Sequence, residues 1–453
     1  FLASACDQII LPPSGRLSVL GLRSEVLFLQ ETLSMAGIEA DLESIAEYKV
    51  TSNMFRCNSM TAPHREMLNS ILDSVFDTVV TAISEGRDMS SEDARRLIDS
   101  MPMMPADALK AGLIDGTLYE DELPAHLAAE AEEASPGSRG TETTNRVPLV
   151  TWDQAARWLK QPLSWTTRNR IGVISLKGMI VPGKSRRMPA PVPLPIQAQA
   201  GAETLTAALR QAEADPLISA VILHVDSPGG SSLASDLIWR QVQRLGRQKP
   251  VVVLMGEQAA SGGYYLSAPA RHIVARPTTL TGSIGIWGGK FIVDDLYERL
   301  KVGRQELQRG ARADLYTELR PFDEEEREQV RRELEETYAR FKQVVVQGRD
   351  LTEEDVEALA RGRVWTGEQA ASLGLVDELG DFETALEAAK ALADLDPDRD
   401  YSIVEIAPPR QEILPQPFPP PDRTRYTVLR DWLEELAGEH LWAMAPWSIR
   451  WRG

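Results

Sequence analysis

Cysteine is nearly absent: Cys6 and Cys57 are the two in 453 residues, too few for a disulfide framework or a thiolate zinc site. Positive charge is also short. The chain has 49 Lys and Arg against 67 Asp and Glu, a net −18, and a phosphate-binding surface needs clustered cations, so nucleic acid is not an expected partner. No apolar run reaches the roughly 18 residues of a membrane-spanning helix, and no secretory signal pattern opens the chain. It starts at Phe1, in what reads as the middle of an element, so the true N-terminus, with any anchor, is expected to lie before it. Histidine is scarce, with five in all; His224 inside an apolar strand and His272 just before another read as packed residues rather than bases. What remains, 43% hydrophobic and 26% charged, is an ordinary globular composition with length for two or three domains. Neither a metal nor a cofactor is expected.

The informative stretch runs from Val221 to Ile286. Val221 to Val225 reads as a buried parallel strand, followed by the turn Asp226-Ser227-Pro228-Gly229-Gly230 and a helix from Ser231 to Leu245. Val251 to Met255 repeats the pattern and ends in Ala259-Ala260-Ser261-Gly262-Gly263-Tyr264. Glycine turns leave backbone N–H groups free to face a ligand, and a serine opening a helix lies at the end that favours a developing anion. These are the requirements of acyl transfer, with Ser261 as the nucleophile. A serine hydroxyl needs a neighbour to take its proton. No Ser-His-Asp context is recognisable, which leaves a lysine made neutral by burial.

The chain also repeats itself. Phe1 to Leu22 aligns without gaps on Tyr265 to Ile286, an offset of 264 positions (265 − 1). At an offset of 262, Gly86-Arg87-Asp88 matches Gly348-Arg349-Asp350, and Ala111-Gly112-Leu113-Ile114-Asp115 matches Leu373-Gly374-Leu375-Val376-Asp377. Two copies of one α/β unit are therefore expected, the first without its front half. The expected boundaries are a first repeat over 1–127, a linker over 128–147, a second repeat over 148–407 and a Pro- and Trp-rich tail over 408–453. Within them, helices are expected at 25–36, 64–84, 202–214, 324–347 and 427–436. Residues 46–50 should be extended, 188–196 a proline-rich loop and 401–406 a strand. The tail tryptophans Trp432, Trp442, Trp447 and Trp451 read as a docking or core patch.

Asp226-Ser-Pro-Gly-Gly, Ala259-Ala-Ser-Gly-Gly-Tyr, Leu280-Thr-Gly-Ser-Ile-Gly, Val364-Trp-Thr-Gly and Gly374-Leu-Val-Asp together resemble the signal peptide peptidases of the protease IV type, in their long tandem-repeat form. The likeness covers residues 1 to 395. It implies an α/β fold of tandem crotonase-like domains, the ββα superhelix shared with the Clp protease subunit, the first domain incomplete. It also implies a Ser/Lys dyad in which Ser261 attacks, Lys49 of the Tyr48-Lys49 pair is the base, and Ser283 orients the lysine. The repeat is consistent with this: Lys49 falls on Ala313 at one offset and Ala311 at the other, with Arg312 between, and Ser283 falls on Val19, so neither copy is complete alone. Backbone N–H groups of Gly229 or Gly230, and of Ser261 or Gly262, would form the oxyanion hole.

A serine endopeptidase acting on hydrophobic peptides, such as residual signal peptides, follows as the expectation. By the same resemblance the protein would be a homo-oligomer, a tetramer, held at the inner membrane and facing the periplasm. Two alternatives stand beside it. An acyl-CoA hydratase or isomerase on the same fold would use paired carboxylates, which are not seen here, and a non-catalytic scaffold would bind hydrophobic peptides without cleaving them.

Overall fold

A computed structural model describes residues 2–134, 147, 149–151, 155, 169–187, 198–310, 312–406 and 441–444. The proline-rich loop at 188–196, most of the linker, the helix expected at 427–436 and Trp432, Trp447 and Trp451 lie outside the described residues. The chain forms two compact units. One takes residues 1–23 and 75–165, the other residues 24–74 and 166–449. This division departs from the boundary at 127 drawn from the repeat: residues 24–74 belong with the later part of the chain, because Glu39–Ser44 is a strand whose hydrogen-bonding partner is Trp287–Ile292. The start of the expected linker is also helical, within Leu123–Ala134.

In the first unit, β1 (Ile10–Leu11) pairs in parallel with β3 (Gly116–Thr117). Val79, Ile83, Ala94, Ile98, Ala108 and Ile114 pack into one buried cluster beside them. The Arg87 guanidinium binds the Asp115 carboxylate at 2.6 Å, and the same carboxylate accepts from the Ile9 N–H at 2.7 Å. The second unit contains the same device at the matching positions. There β11 (His272–Ala275) pairs in parallel with β15 (Glu378–Leu379), Arg349 binds Asp377 at 2.6 Å, and Asp377 accepts from the Ile273 N–H at 2.7 Å. The matched Gly-Arg-Asp and Gly-Leu-Ile/Val-Asp motifs thus have one structural meaning: an arginine ending a helix clamps the aspartate that ties down a parallel strand pair.

The main sheet of the second unit is built on β4 (Arg170–Lys177), β8 (Ile218–Ser227) and β10 (Val251–Ala260), parallel neighbours in that order. Their unbroken apolar runs are those of strands covered on both faces. Val221, Leu223 and Val225 face the helices Ala202–Ala214 and Ser232–Gly246, whereas Ala220 and Ile222 face Ala385 and Ala389 of the helix Phe382–Leu392. β16 (Ile403–Glu405) extends the sheet beyond β4; past β10 come β12 (Leu280–Gly282) and then β14 (Val364–Thr366), antiparallel to it.

A second sheet runs in the order β2 (Glu39–Ser44), β13 (Trp287–Ile292), β17 (Leu441–Met444), β9 (Gly229–Ser231), β5 (Met179–Val181), β7 (Ala198–Gly201) and β6 (Arg186–Arg187). The expected helix at 25–36 is confined to Gln30–Ala36, closed by Gly37 in the left-handed region. Leu29, just before it, donates its N–H to the Met54 carbonyl and is held outside the helix.

Candidate active site

Ser261 follows directly on β10 and precedes the helix Gly262–Ser267. Its own φ of 55° and ψ of −115° lie outside the ordinary regions for an L-residue, a strained strand-to-helix corner of the kind that lifts a nucleophilic side chain out of the sheet. The corner is held from both sides. The Ser261 N–H donates to the Gly282 carbonyl at 2.7 Å, and the Ser261 carbonyl accepts from the Tyr265 N–H at 2.8 Å. Gly263, two residues on, is closely packed: a Cβ there would lie 3.0 Å from the Ser227 carbonyl oxygen.

Lys49 reaches Ser261 through strand register. β2 and β13 are antiparallel with Ser44 opposite Trp287, and the Ile45 N–H continues the ladder to the Ile286 carbonyl at 3.1 Å. The pairing ends there, with the chain beyond Ile45 directed toward Lys49 on one side and the chain before Ile286 coming from Ser283 on the other. Residues 46–50, expected to be extended, turn inward at Ala46 with φ 71° and pass into a short 3-10 turn, Val50–Ser52. The segment 361–363 then ties the two sides together. Arg361 accepts from the Tyr48 N–H at 3.1 Å, Gly362 donates to the Ile284 carbonyl at 2.8 Å, and Arg363 accepts from the Ser283 N–H at 2.6 Å.

At the centre, Lys49 Nζ lies 2.7 Å from Ser261 Oγ, 3.1 Å from Ser283 Oγ and 3.1 Å from the Ser283 carbonyl oxygen. Lys49 is 1% exposed, and Ser261 and Ser283 are fully buried. No carboxylate or histidine is among the hydrogen-bond partners of Lys49 Nζ or Ser261 Oγ found among the described residues. Burial without a counter-charge pushes the lysine pKa well below its ordinary value. All three neighbours can accept from the amine; were it neutral, with one lone pair and two N–H donors, the Ser261 hydroxyl would donate to the lone pair and the two N–H groups would serve Ser283 Oγ and the Ser283 carbonyl. Replacing Ser283 with Ala removes one of these acceptors. We expect kcat to fall on the order of tenfold with KM little changed, measured by steady-state kinetics of the Ser283→Ala protein.

The glycine turn after β8 is close-packed. A Cβ at Gly230 would meet the Ile180 carbonyl oxygen at 1.9 Å, since Gly230 pairs with Ile180 of β5. Gly229 has φ 101°, and its N–H donates to Ser227 Oγ at 3.1 Å. Because the Ser261 amide is held by Gly282, Gly262 is the amide that opens the helix, a position with no acceptor one turn earlier.

Glu66 and Arg363, which hold Tyr48 in place, escaped the sequence reading. Tyr48 donates its hydroxyl to Glu66 at 2.8 Å, Arg363 donates to the same carboxylate at 2.8 Å, and the guanidinium stacks 4.9 Å from the Tyr48 ring centroid and 4.5 Å from that of Trp365. This cluster fixes the residue preceding Lys49. Its only sequence signal was the adjacency of Arg363 to the Val364-Trp365-Thr366-Gly367 motif. Among the described residues no group of His, Cys, Asp and Glu could hold a metal ion, and no helix is long and apolar enough to cross a membrane.

The chain is 31% identical over 411 residues to "Serine protease SPPA, chloroplastic" of Arabidopsis thaliana, covering 90% of this chain and 59% of that protein. It is 29% identical over 416 residues to "Protease 4" of Haemophilus influenzae, covering 89% and 65%. It is 31% identical over 401 residues to "Protease 4" of Salmonella typhi, covering 87% and 62%. The chain thus spans less than two thirds of the length of each of these relatives. Residues 1–133 and 243–396 match Peptidase family S49, and the chain belongs to that family.

Proposed function

We propose that the protein is a serine endopeptidase of signal-peptide-peptidase type that cleaves extended apolar peptides with a Ser261/Lys49 dyad. The observation that carries this reading is the 2.7 Å approach of a buried lysine amine to the hydroxyl of a strained serine. Ser261 Oγ attacks the peptide carbonyl while neutral Lys49 takes its proton; the ammonium then gives that proton to the leaving amine as the C–N bond breaks. Water, deprotonated by the same lysine, releases the acyl group. Ser283 holds the amine lone pair toward Oγ. Of the two glycine amides expected on one side, Gly229 already donates to Ser227 Oγ, so the oxyanion is received by the amide of Gly230 there and by that of Gly262 on the other side, each contributing about 2.7–4 kcal/mol to lowering the barrier.

The fold is read as two crotonase-like, Clp-protease-like repeats, the first incomplete. Homo-oligomeric assembly as a tetramer, checked by sedimentation velocity, and an inner-membrane location facing the periplasm, checked by cell fractionation, belong to the same proposal. The decisive test is hydrolysis of synthetic apolar peptides followed by mass spectrometry. Discrete cleavage products from the parent chain and none from Ser261→Ala are expected. Equal cleavage by both would overturn the assignment.

A further inference from the structure

The strand that leads to Lys49 buries an aspartate nearly as deeply as its leucine: in β2, Asp41 is 7% exposed and Leu42 4%. The carboxylate is held from three directions. Arg327, near the start of the helix Glu324–Arg349, donates to Asp41 Oδ1 at 2.8 Å and Oδ2 at 3.2 Å. The same guanidinium reaches Glu43 Oε1 at 2.8 Å, and the Phe322 N–H donates to Asp41 Oδ2 at 2.7 Å. Lys290, the residue of β13 opposite Asp41, is also buried; it donates to the Leu315 carbonyl at 2.9 Å and lies 4.1 Å from the Phe322 ring centroid. Gly289 lets the two strands come this close, since a Cβ there would lie 2.3 Å from the Asp41 carbonyl oxygen.

A buried ion pair adds little stability over apolar residues of the same size, and its best-attested use is to select one pairing among several. This one discriminates between registers. A slip of one residue would turn Asp41 and Glu43 to the opposite face and put Leu42 against the guanidinium. A slip of two would bring Glu39 or Glu43, each a methylene longer than Asp41, to the Phe322 amide. Each step shifts the strand by about 3.4 Å, enough to break the 2.7 Å contact between Lys49 Nζ and Ser261 Oγ. We propose that Arg327 is a positioning residue for the base: by clamping Asp41 and Glu43 it selects the one register of β2 on β13 in which Lys49 meets Ser261. The proposal rests on the dyad reading above, and its structural half is tested without catalysis.

Asp41→Asn, Glu43→Gln and Arg327→Met together remove the charges but keep the side-chain sizes and an acceptor for the Phe322 N–H, so this unclamped chain should still fold. Its register is read by adding Ala40→Cys and Phe291→Cys, which face each other in the observed pairing, in a chain also carrying Cys6→Ser, Cys57→Ser and Ser261→Ala. Strand residues directly opposite one another lie within disulfide reach. The initial rate of linking under mild oxidation should be about tenfold lower in the unclamped chain than in the clamped one; equal rates overturn the proposal. With Ser261 restored, kcat of the reduced, unclamped chain should fall by the same factor with KM within twofold, and oxidation to the linked form should restore it. A kcat unchanged by unclamping, or one that stays low after linking, would overturn the proposal. Absence of cleavage by the parent chain, with the linking result intact, would count against the peptidase reading alone.

Discussion

Lys49→Met is expected to lower kcat/KM on the order of 10⁴-fold or more and, at neutral pH, to raise the melting temperature. The kinetic loss follows from removing the one base in contact with Ser261 among the described residues, and residues that act as a unit lose nearly all of their shared effect with one member. The gain in stability follows from proton linkage. Lys49 is neutral in the folded chain over a range where the unfolded chain carries an ammonium, because burial lowers its pKa well below 10.5. Across that window the unfolded state binds more protons, so stability rises with pH and the penalty is largest on the acid side. Methionine fills the same volume without titrating. A Tm increase of about 2–4 °C, the shift that 1 kcal/mol makes in a domain of 150–250 residues, should be seen by calorimetry at pH 7 and should shrink as pH approaches 10.5. Equal melting temperatures across pH would mean that Lys49 is not held neutral. Lys49→Arg should not restore activity, since a guanidinium stays protonated.

The second large effect is expected at a residue with no functional group. Gly362 has φ 81°, and a Cβ there would lie 2.4 Å from Lys49 N and 2.6 Å from both Lys49 Cα and Cβ. These are backbone atoms that cannot rotate away, so Gly362→Ala must move the main chain carrying the base. A displacement of about 1 Å at a catalytic group costs on the order of 100-fold. We expect kcat to fall by about that factor, measured by steady-state kinetics of the Gly362→Ala protein. A kcat within twofold of the parent would show that the Lys49 backbone is not constrained by the 361–363 segment. Gly285→Ala presses on the same contact from the other side, since its Cβ would lie 2.8 Å from Gly362 Cα and 3.2 Å from Lys49 Cδ.

The parts of the molecule legible in the sequence are those encoded by short-range pattern. The runs Val221–Val225 and Val251–Met255 announce buried strands, and the observed strands extend them to Ile218–Ser227 and Val251–Ala260. The helix expected at 202–214 is found with those limits, and that at 64–84 begins two residues earlier and ends two later, at Ala62–Gly86. Ser261 is legible for the same reason, because the strand, the strained corner and the helix start occupy consecutive residues.

Lys49 has no local signal of that kind. Its position depends on β2 pairing with β13 across more than two hundred residues, and Glu39–Ser44 is a half-polar strand that reads neither as a buried run nor as a clean alternation. Only a family resemblance could point to the lysine, and only the register of β2 on β13 explains how it arrives. The same holds for β17. A strand of four residues in a tail rich in proline and tryptophan gives no periodicity to read, and its place is set by two partners far away in the chain.

The central claim is that a neutral, buried Lys49 activates Ser261. The most direct measurement is the pH dependence of Ser261 modification by a fluorophosphonate probe, followed by peptide mapping, in the parent chain and in Lys49→Met. The parent should label at Ser261 with a rate that falls on acidification through an apparent pKa well below that of free lysine, and Lys49→Met should label slowly with that limb gone. Equal labelling rates and equal pH profiles in the two proteins would contradict the dyad.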